Sequence, residues 1–127
     1  ARLLRPGNDV AIFACGAMTS LAVQASDTLK AEGIAARVLN VSTIKPLDRE
    51  SILAAAAETR GIVTAEEHHL TGGLGGAVAE LLAVEHPTRM RMVGMPDAFA
   101  SIGPTVKVRE KYGMSAAAIA AACRELL

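Results

Sequence analysis

Thr64-Ala65-Glu66-Glu67-His68-His69-Leu70-Thr71-Gly72-Gly73-Leu74-Gly75-Gly76 joins an apolar run to a helical pattern, and its reading decides the fold. Gly61 to Ala65 reads as a buried strand, and Leu74, Val78, Leu81 and Leu82 recur at helical spacing. The polar stretch between them is therefore the turn of a strand-to-helix unit. It carries two of the three histidines, two adjacent carboxylates and four of the eleven glycines. It is the first place to look for chemistry.

The same alternation extends in both directions. Toward the amino end, Val10 to Cys15 predicts a strand, and Met18, Leu21, Ala22, Ala25 and Leu29 predict a helix closed by Gly33. Thr19 or a neighbour is a candidate cap for that helix. Ile34 to Val41 predicts the next strand. Pro46 interrupts the chain, and Asp48 is placed to cap an alanine-rich helix from Arg49 to about Glu58, with Leu47 and Ile52 as a hydrophobic staple. Toward the carboxyl end, Met90 to Val93 predicts a short strand and Gly94 to Pro104 a loop. Thr105 to Tyr112 predicts a helix closed by Gly113. Ser115 caps a last helix with Ile119, Cys123 and Leu126 on one face. Residues 1–9 read as an incoming linker or edge segment ending in the turn Pro6-Gly7-Asn8-Asp9.

This order predicts an α/β fold, an open and mostly parallel sheet covered by helices on both faces. Ligands of such sheets collect at the carboxyl ends of the strands. Here those ends are Gly16 to Ser20, Ser42 to Asp48, Glu66 to Gly73 and Gly94 to Gly103. The 127 residues suit one domain, residues 1–127, with no internal repeat or interdomain linker.

Composition narrows the function classes. Lys plus Arg and Asp plus Glu are 13 each, so no basic surface points to nucleic acid. Aromatics are 2%, too few for base-stacking platforms. No apolar stretch approaches membrane-spanning length, and no signal-peptide pattern is visible. Cys15 and Cys123 read as unpaired structural thiols of a cytoplasmic protein. A start at Ala1 rather than Met fits an excised domain or a processed chain.

Three chemistries are tested on the central stretch. Gly73-Leu74-Gly75-Gly76-Ala77-Val78 departs from the dinucleotide fingerprint at Val78, and the loop before it is too long for the tight turn required. The preferred reading is that these glycines bring the helix close to the sheet and leave its N-terminal amides free. Glu66, Glu67, His68 and His69 are consecutive, so in an extended chain they alternate sides and cannot all face one metal ion. A histidine beside carboxylates could exchange protons near neutral pH, yet no nucleophile is fixed nearby, and nothing sets a thiolate at Cys15. The helix starts after Gly16 and after Thr71 could attract an anion, which leaves open a small-molecule or phosphate-ligand binding regulatory module.

Val10-Ala11-Ile12-Phe13-Ala14-Cys15-Gly16, Ser42-Thr43-Ile44-Lys45-Pro46-Leu47-Asp48, the central stretch from Thr64 to Gly75, Gly94-Met95-Pro96-Asp97-Ala98-Phe99 and Lys111-Tyr112-Gly113-Met114 stand in that order. Together they resemble the C-terminal domain of transketolase-family enzymes, above all the C-terminal section of split transketolases. The superfamily also holds deoxyxylulose-phosphate synthases and the β subunits of 2-oxoacid dehydrogenases. The resemblance implies a three-layer α/β/α domain with about five strands, one of them antiparallel. It implies a parent transferase of carbohydrate metabolism that uses thiamine diphosphate and a divalent cation (Mg) to move a two-carbon ketol unit between sugar phosphates. The cofactor would lie between a pyrimidine-binding and a diphosphate-binding domain, in the same chain or a separate subunit, within a homodimer. The Gly-Asp-Gly and Asn-Asn that bind diphosphate and metal are absent, since the only asparagines are Asn8 and Asn40. The chain is thus expected to bind no cofactor or metal and to be inactive alone, supporting the pyrimidine domain and the dimer. Glu67, His68 and Asp97 are the candidate residues for the interface or the active-site approach. One departure stands out. After Phe99 the family has a small polar loop, often Gly-Glu-Ser-Gly, whereas this chain has Ala100-Ser101-Ile102-Gly103, and Ile102 could pack on a partner.

Overall fold

The structure, a computed structural model, describes residues 1–127. Five strands and five helices follow one another as β1 (Arg2–Arg5), β2 (Val10–Ala14), α1 (Met18–Ala31), β3 (Ala36–Asn40), α2 (Arg49–Glu58), β4 (Ile62–His69), α3 (Leu74–Glu85), β5 (Met90–Met95), α4 (Thr105–Lys111) and α5 (Ala116–Glu125). The strands form one sheet in the order β1-β3-β2-β4-β5. β1 pairs antiparallel with β3, and the other neighbours are parallel. The mixed five-stranded sheet with one antiparallel strand is the expected one.

Two apolar layers cover the sheet. All five residues of β2 are buried, as a central strand covered on both faces requires. Val10, Ile12 and Ala14 pack with Val63 and Ala65 beneath α1 and α5, where Met18, Ala22, Leu29, Ile119 and Cys123 complete the layer. Ala11, Phe13 and Ile62 face the other way, against Ile52 and Ala55 of α2 and Leu74, Val78 and Leu82 of α3. With so few aromatics, alanine lets the helices approach the sheet closely. α4 has no buried residue and belongs to neither layer.

Most helix signals act as read. Asp48 accepts the Ser51 amide and Ser115 that of Ala118, while Gly33 and Gly113 take φ values of 80° and 73° where their helices stop. Leu47 packs against the cluster that contains Ile52, as a staple residue should. Thr19 is not a cap. It lies inside α1, whose start at Ala17 has no side-chain cap, and its hydroxyl donates to Oδ1 of Asn40 at 3.2 Å.

The larger correction concerns β4. The strand does not stop at Ala65 but continues through Glu66, Glu67 and His68 to His69. The extension pairs with β5, also longer than expected, and the register shifts between Ala65 and His69. The Leu70 amide donates to the Met95 carbonyl at 2.9 Å, closing the ladder. Four consecutive polar residues hide a strand from composition, because charged residues are depleted in strands.

Candidate functional site at the carboxyl edge of the sheet

β2, β3, β4 and β5 run parallel, so their carboxyl ends share one edge. Glu66 is the residue around which this edge is built. It lies two residues beyond Thr64 and four beyond Ile62, on the face covered by α3, and is 1% exposed. Its carboxylate accepts the amides of Leu74 and Gly75, each at 2.7 Å. Two of the helix's orphan donors are thereby satisfied, and the negative charge meets the positive end of the helix dipole. A buried carboxylate is tolerated because both oxygens are hydrogen-bonded.

The glycines follow from this arrangement. A Cβ on Gly73 would stand 1.9 Å from Oε1 of Glu66, and one on Gly75 would meet Oγ1 of Thr64 and Sδ of Met92 at 2.9 Å each. Gly72 takes φ +81° to turn the chain into the helix. Close approach of helix to sheet is therefore the right reading of Gly73 and Gly75. The expectation that the amides of α3 are free is not: the Glu66 carboxylate occupies them. An anion at this terminus would have to displace an internal one, which removes one of the two positions on which the phosphate-module reading rests.

Alternation along β4 separates the remaining candidates. Nδ1 of His68 lies 3.8 Å from Oε1 of Glu66 and 2.8 Å from the His69 carbonyl. Glu67 accepts a hydrogen bond from Nε of Arg109 on α4 at 2.6 Å. His68 and Asp97 line one cleft of about 300 Å³ with His69, Leu70 and Thr71. His69 and Asp97 also line an adjoining cleft of about 570 Å³ with Met95 and Phe99. The structure thus brings His68 and Asp97 together and sets Glu67 apart in an ion pair. No three His, Cys, Asp or Glu side chains are grouped to hold a metal ion. The donor set does not fit the divalent cation that the resemblance implies for the parent. At the end of β2, burial first and the Glu66 charge second push the Cys15 thiol up, away from a reactive thiolate.

No residue from Pro96 through Gly113 is buried. Phe99 and Ile102 stand fully in solvent, at 102% and 105% exposure, and Val106 follows at 61%. The loop is nevertheless tied down. The Tyr112 hydroxyl accepts the Ser101 amide at 2.9 Å, lies 3.1 Å from the Ser101 hydroxyl and donates to the Phe99 carbonyl at 3.2 Å. Lys111 donates to the Ser101 hydroxyl. The capping role of Glu66, the Arg109 partner of Glu67 and the Tyr112 tie were not read from the sequence. Only the first left a trace, a carboxylate eight residues before Leu74 in a glycine-rich turn.

Known proteins share this architecture and sequence. The chain is 48% identical over 125 residues to a 1-deoxy-D-xylulose-5-phosphate synthase of Heliobacterium modesticaldum, covering 98% of the chain and 19% of that protein. It is 44% identical over 126 residues to a 6-deoxy-6-sulfo-D-fructose transketolase subunit of Clostridium sp. (strain MSTE9), covering 99% of the chain and 39% of the subunit. Among solved structures, a split-gene transketolase described as an inactive β4 tetramer superposes with a TM-score of 0.94 at 45% identity, over 98% of the chain and 41% of its own. The chain therefore spans well under half of each of these relatives. Residues 1–119 match the family described as transketolase, C-terminal domain, and the chain belongs to that family.

Proposed function

We propose that residues 1–127 form one accessory, assembly-forming domain of a thiamine-diphosphate-dependent, transketolase-like enzyme of the cytoplasm. The parent would transfer ketol units between sugar phosphates, with Mg as the cation. This domain would support the pyrimidine-binding domain and the homodimer, and would not catalyse alone. Residues 1–9 would carry the chain in from the preceding section, with Arg2–Arg5 as the edge strand. Glu67, His68 and Asp97 would make contacts at that interface or along the active-site approach.

The observation that carries this reading is the closure of the Glu66 carboxylate on Leu74 and Gly75. The one buried carboxylate at the edge is spent on holding the fold. Glu67 is paired with Arg109, and no activated nucleophile stands near. What remains at the edge is a surface for contact. Family membership supports the parent's class, and the naming of one relative as a subunit supports a partner.

The test is ketol transfer by the parent enzyme with and without this domain. The expected result is no transfer by the isolated chain and loss of transfer when the domain is removed. Transfer that proceeds unchanged without it would end the assembly reading. Titration of the chain with phosphate-bearing metabolites checks the regulatory-module alternative, for which no binding at millimolar ligand is expected.

A further inference from the structure

The loop after β5 presents its two largest apolar side chains to water and then spends hydrogen bonds to keep them there. Phe99 and Ile102 bracket Ser101. Tyr112 holds the Ser101 amide and the Phe99 carbonyl, and Lys111 holds the Ser101 hydroxyl. The segment between the two apolar residues is therefore held by hydrogen bonds with Lys111 and Tyr112. The Glu67–Arg109 pair ties α4, whose C-cap is Tyr112, to the end of β4. A loop anchored at both ends does not expose these side chains through slackness. Preorganised apolar groups of this kind act as anchors in interfaces, because less conformational entropy is lost when they dock.

We infer that Phe99 and Ile102 form a two-residue apolar plug that seats in an apolar pocket on the cofactor-holding section of the same enzyme. The inference rests on the assembly reading and identifies which surface performs it. Two considerations favour that occupant over a second copy of this domain. A buried aromatic side chain contributes about 150–250 Å². Even with Ile102 and Val106 counted in full, the exposed apolar area remains well short of the roughly 800 Å² per partner of a stable free interface. A tethered partner needs far less, because a short linker holds it at an effective concentration on the order of millimolar. The relatives supply such a partner, since the matched region is only 19% of the Heliobacterium protein and 39% of the Clostridium subunit. The rim suits docking as well. His69 and Asp97 share a cleft with Phe99, which gives a polar border beside an apolar centre.

The experiment uses the full-length parent enzyme with a photo-crosslinking p-benzoylphenylalanine in place of Ile102. Irradiation and peptide mapping are expected to place the adduct outside residues 1–127, on the cofactor-holding section. An adduct within residues 1–127 of a second copy, or no adduct, overturns the inference. A second measurement uses the Phe99→Ser/Ile102→Ser enzyme. Amides of residues 97–113 are expected to exchange at least tenfold faster than in the parent, and unchanged exchange counts against the plug. If the cross-link fails while removal of the whole domain still abolishes assembly, the plug is wrong and the assembly reading stands. If removal of the domain changes nothing, the assembly reading fails by itself.

Discussion

The Glu66 carboxylate accepts the backbone amide of Leu74 at 2.7 Å while only 1% exposed. This contact ties strand β4 to the first turn of helix α3. It places the His68, His69 and Thr71 rim next to Asp97. A Glu66→Gln variant keeps the shape but turns an acceptor oxygen into a donor facing another donor. It also removes the charge at the helix terminus. The expected loss is about 1–3 kcal/mol of unfolding free energy, the cost of an unsatisfied buried group. Urea denaturation checks it, and an unchanged midpoint would show that the carboxylate is not structural.

Two adjacent glycines in the same helix should respond in opposite directions. Gly75→Ala drives a methyl against Thr64 and Met92, whereas a Cβ at Gly76 meets nothing within 4 Å. Gly76→Ala is expected to stabilise by up to about 1 kcal/mol through helix propensity. Gly75→Ala is expected to destabilise by about 1–3 kcal/mol through overpacking. Parallel thermal melts decide this, and equal shifts in both variants would contradict the close approach of α3 to the sheet.

The Glu67–Arg109 pair is partly exposed and should matter for local order more than for global stability. Their side chains are 40% and 22% exposed. Arg109→Met is expected to cost no more than about 1 kcal/mol. Amide exchange in Thr105–Lys111 should nevertheless rise, because no buried side chain holds α4 in place. Exchange confined to its original rate would mean that Tyr112 alone secures the segment.

Much of the sheet was legible because its strands are apolar runs bounded by turn residues. Val10 to Ala14 and the helices capped by Asp48 and Ser115 declare themselves through periodicity and caps. The end of β4 did not. Glu66 and Glu67 look like loop residues, and only the fold shows that one carboxylate is matched by two helix amides and the other by Arg109. These partners are 8 to 9 and 42 residues away. Spacing along the chain carries no record of such pairings. Nothing in the spacing of His68 and Asp97 shows that one cleft holds both. The departure at Ile102 was visible as a residue type, whereas the Tyr112 tie that fixes it outward required the folded chain.

Alkaline pH provides a separate test of the core. Burial pushes the Cys123 thiol from an ordinary value near 9 up to about 12. The folded state keeps its proton longer than the unfolded state does. Stability from this thiol is therefore complete below pH 9 and is lost as pH rises from 9 through 12. Iodoacetamide labelling of the native chain at pH 8.5 should modify Cys15, which is partly exposed, well before Cys123. Equal labelling rates would contradict the packing of α5 on the sheet.

The role proposed for this domain is to hold its enzyme together. Sedimentation velocity of the parent enzyme, intact and with residues 1–127 removed, tests it most directly. The intact enzyme is expected to sediment as a dimer and the shortened one to fall to monomers at the same concentration. A shortened enzyme that remains a dimer with the same dissociation constant would contradict the claim.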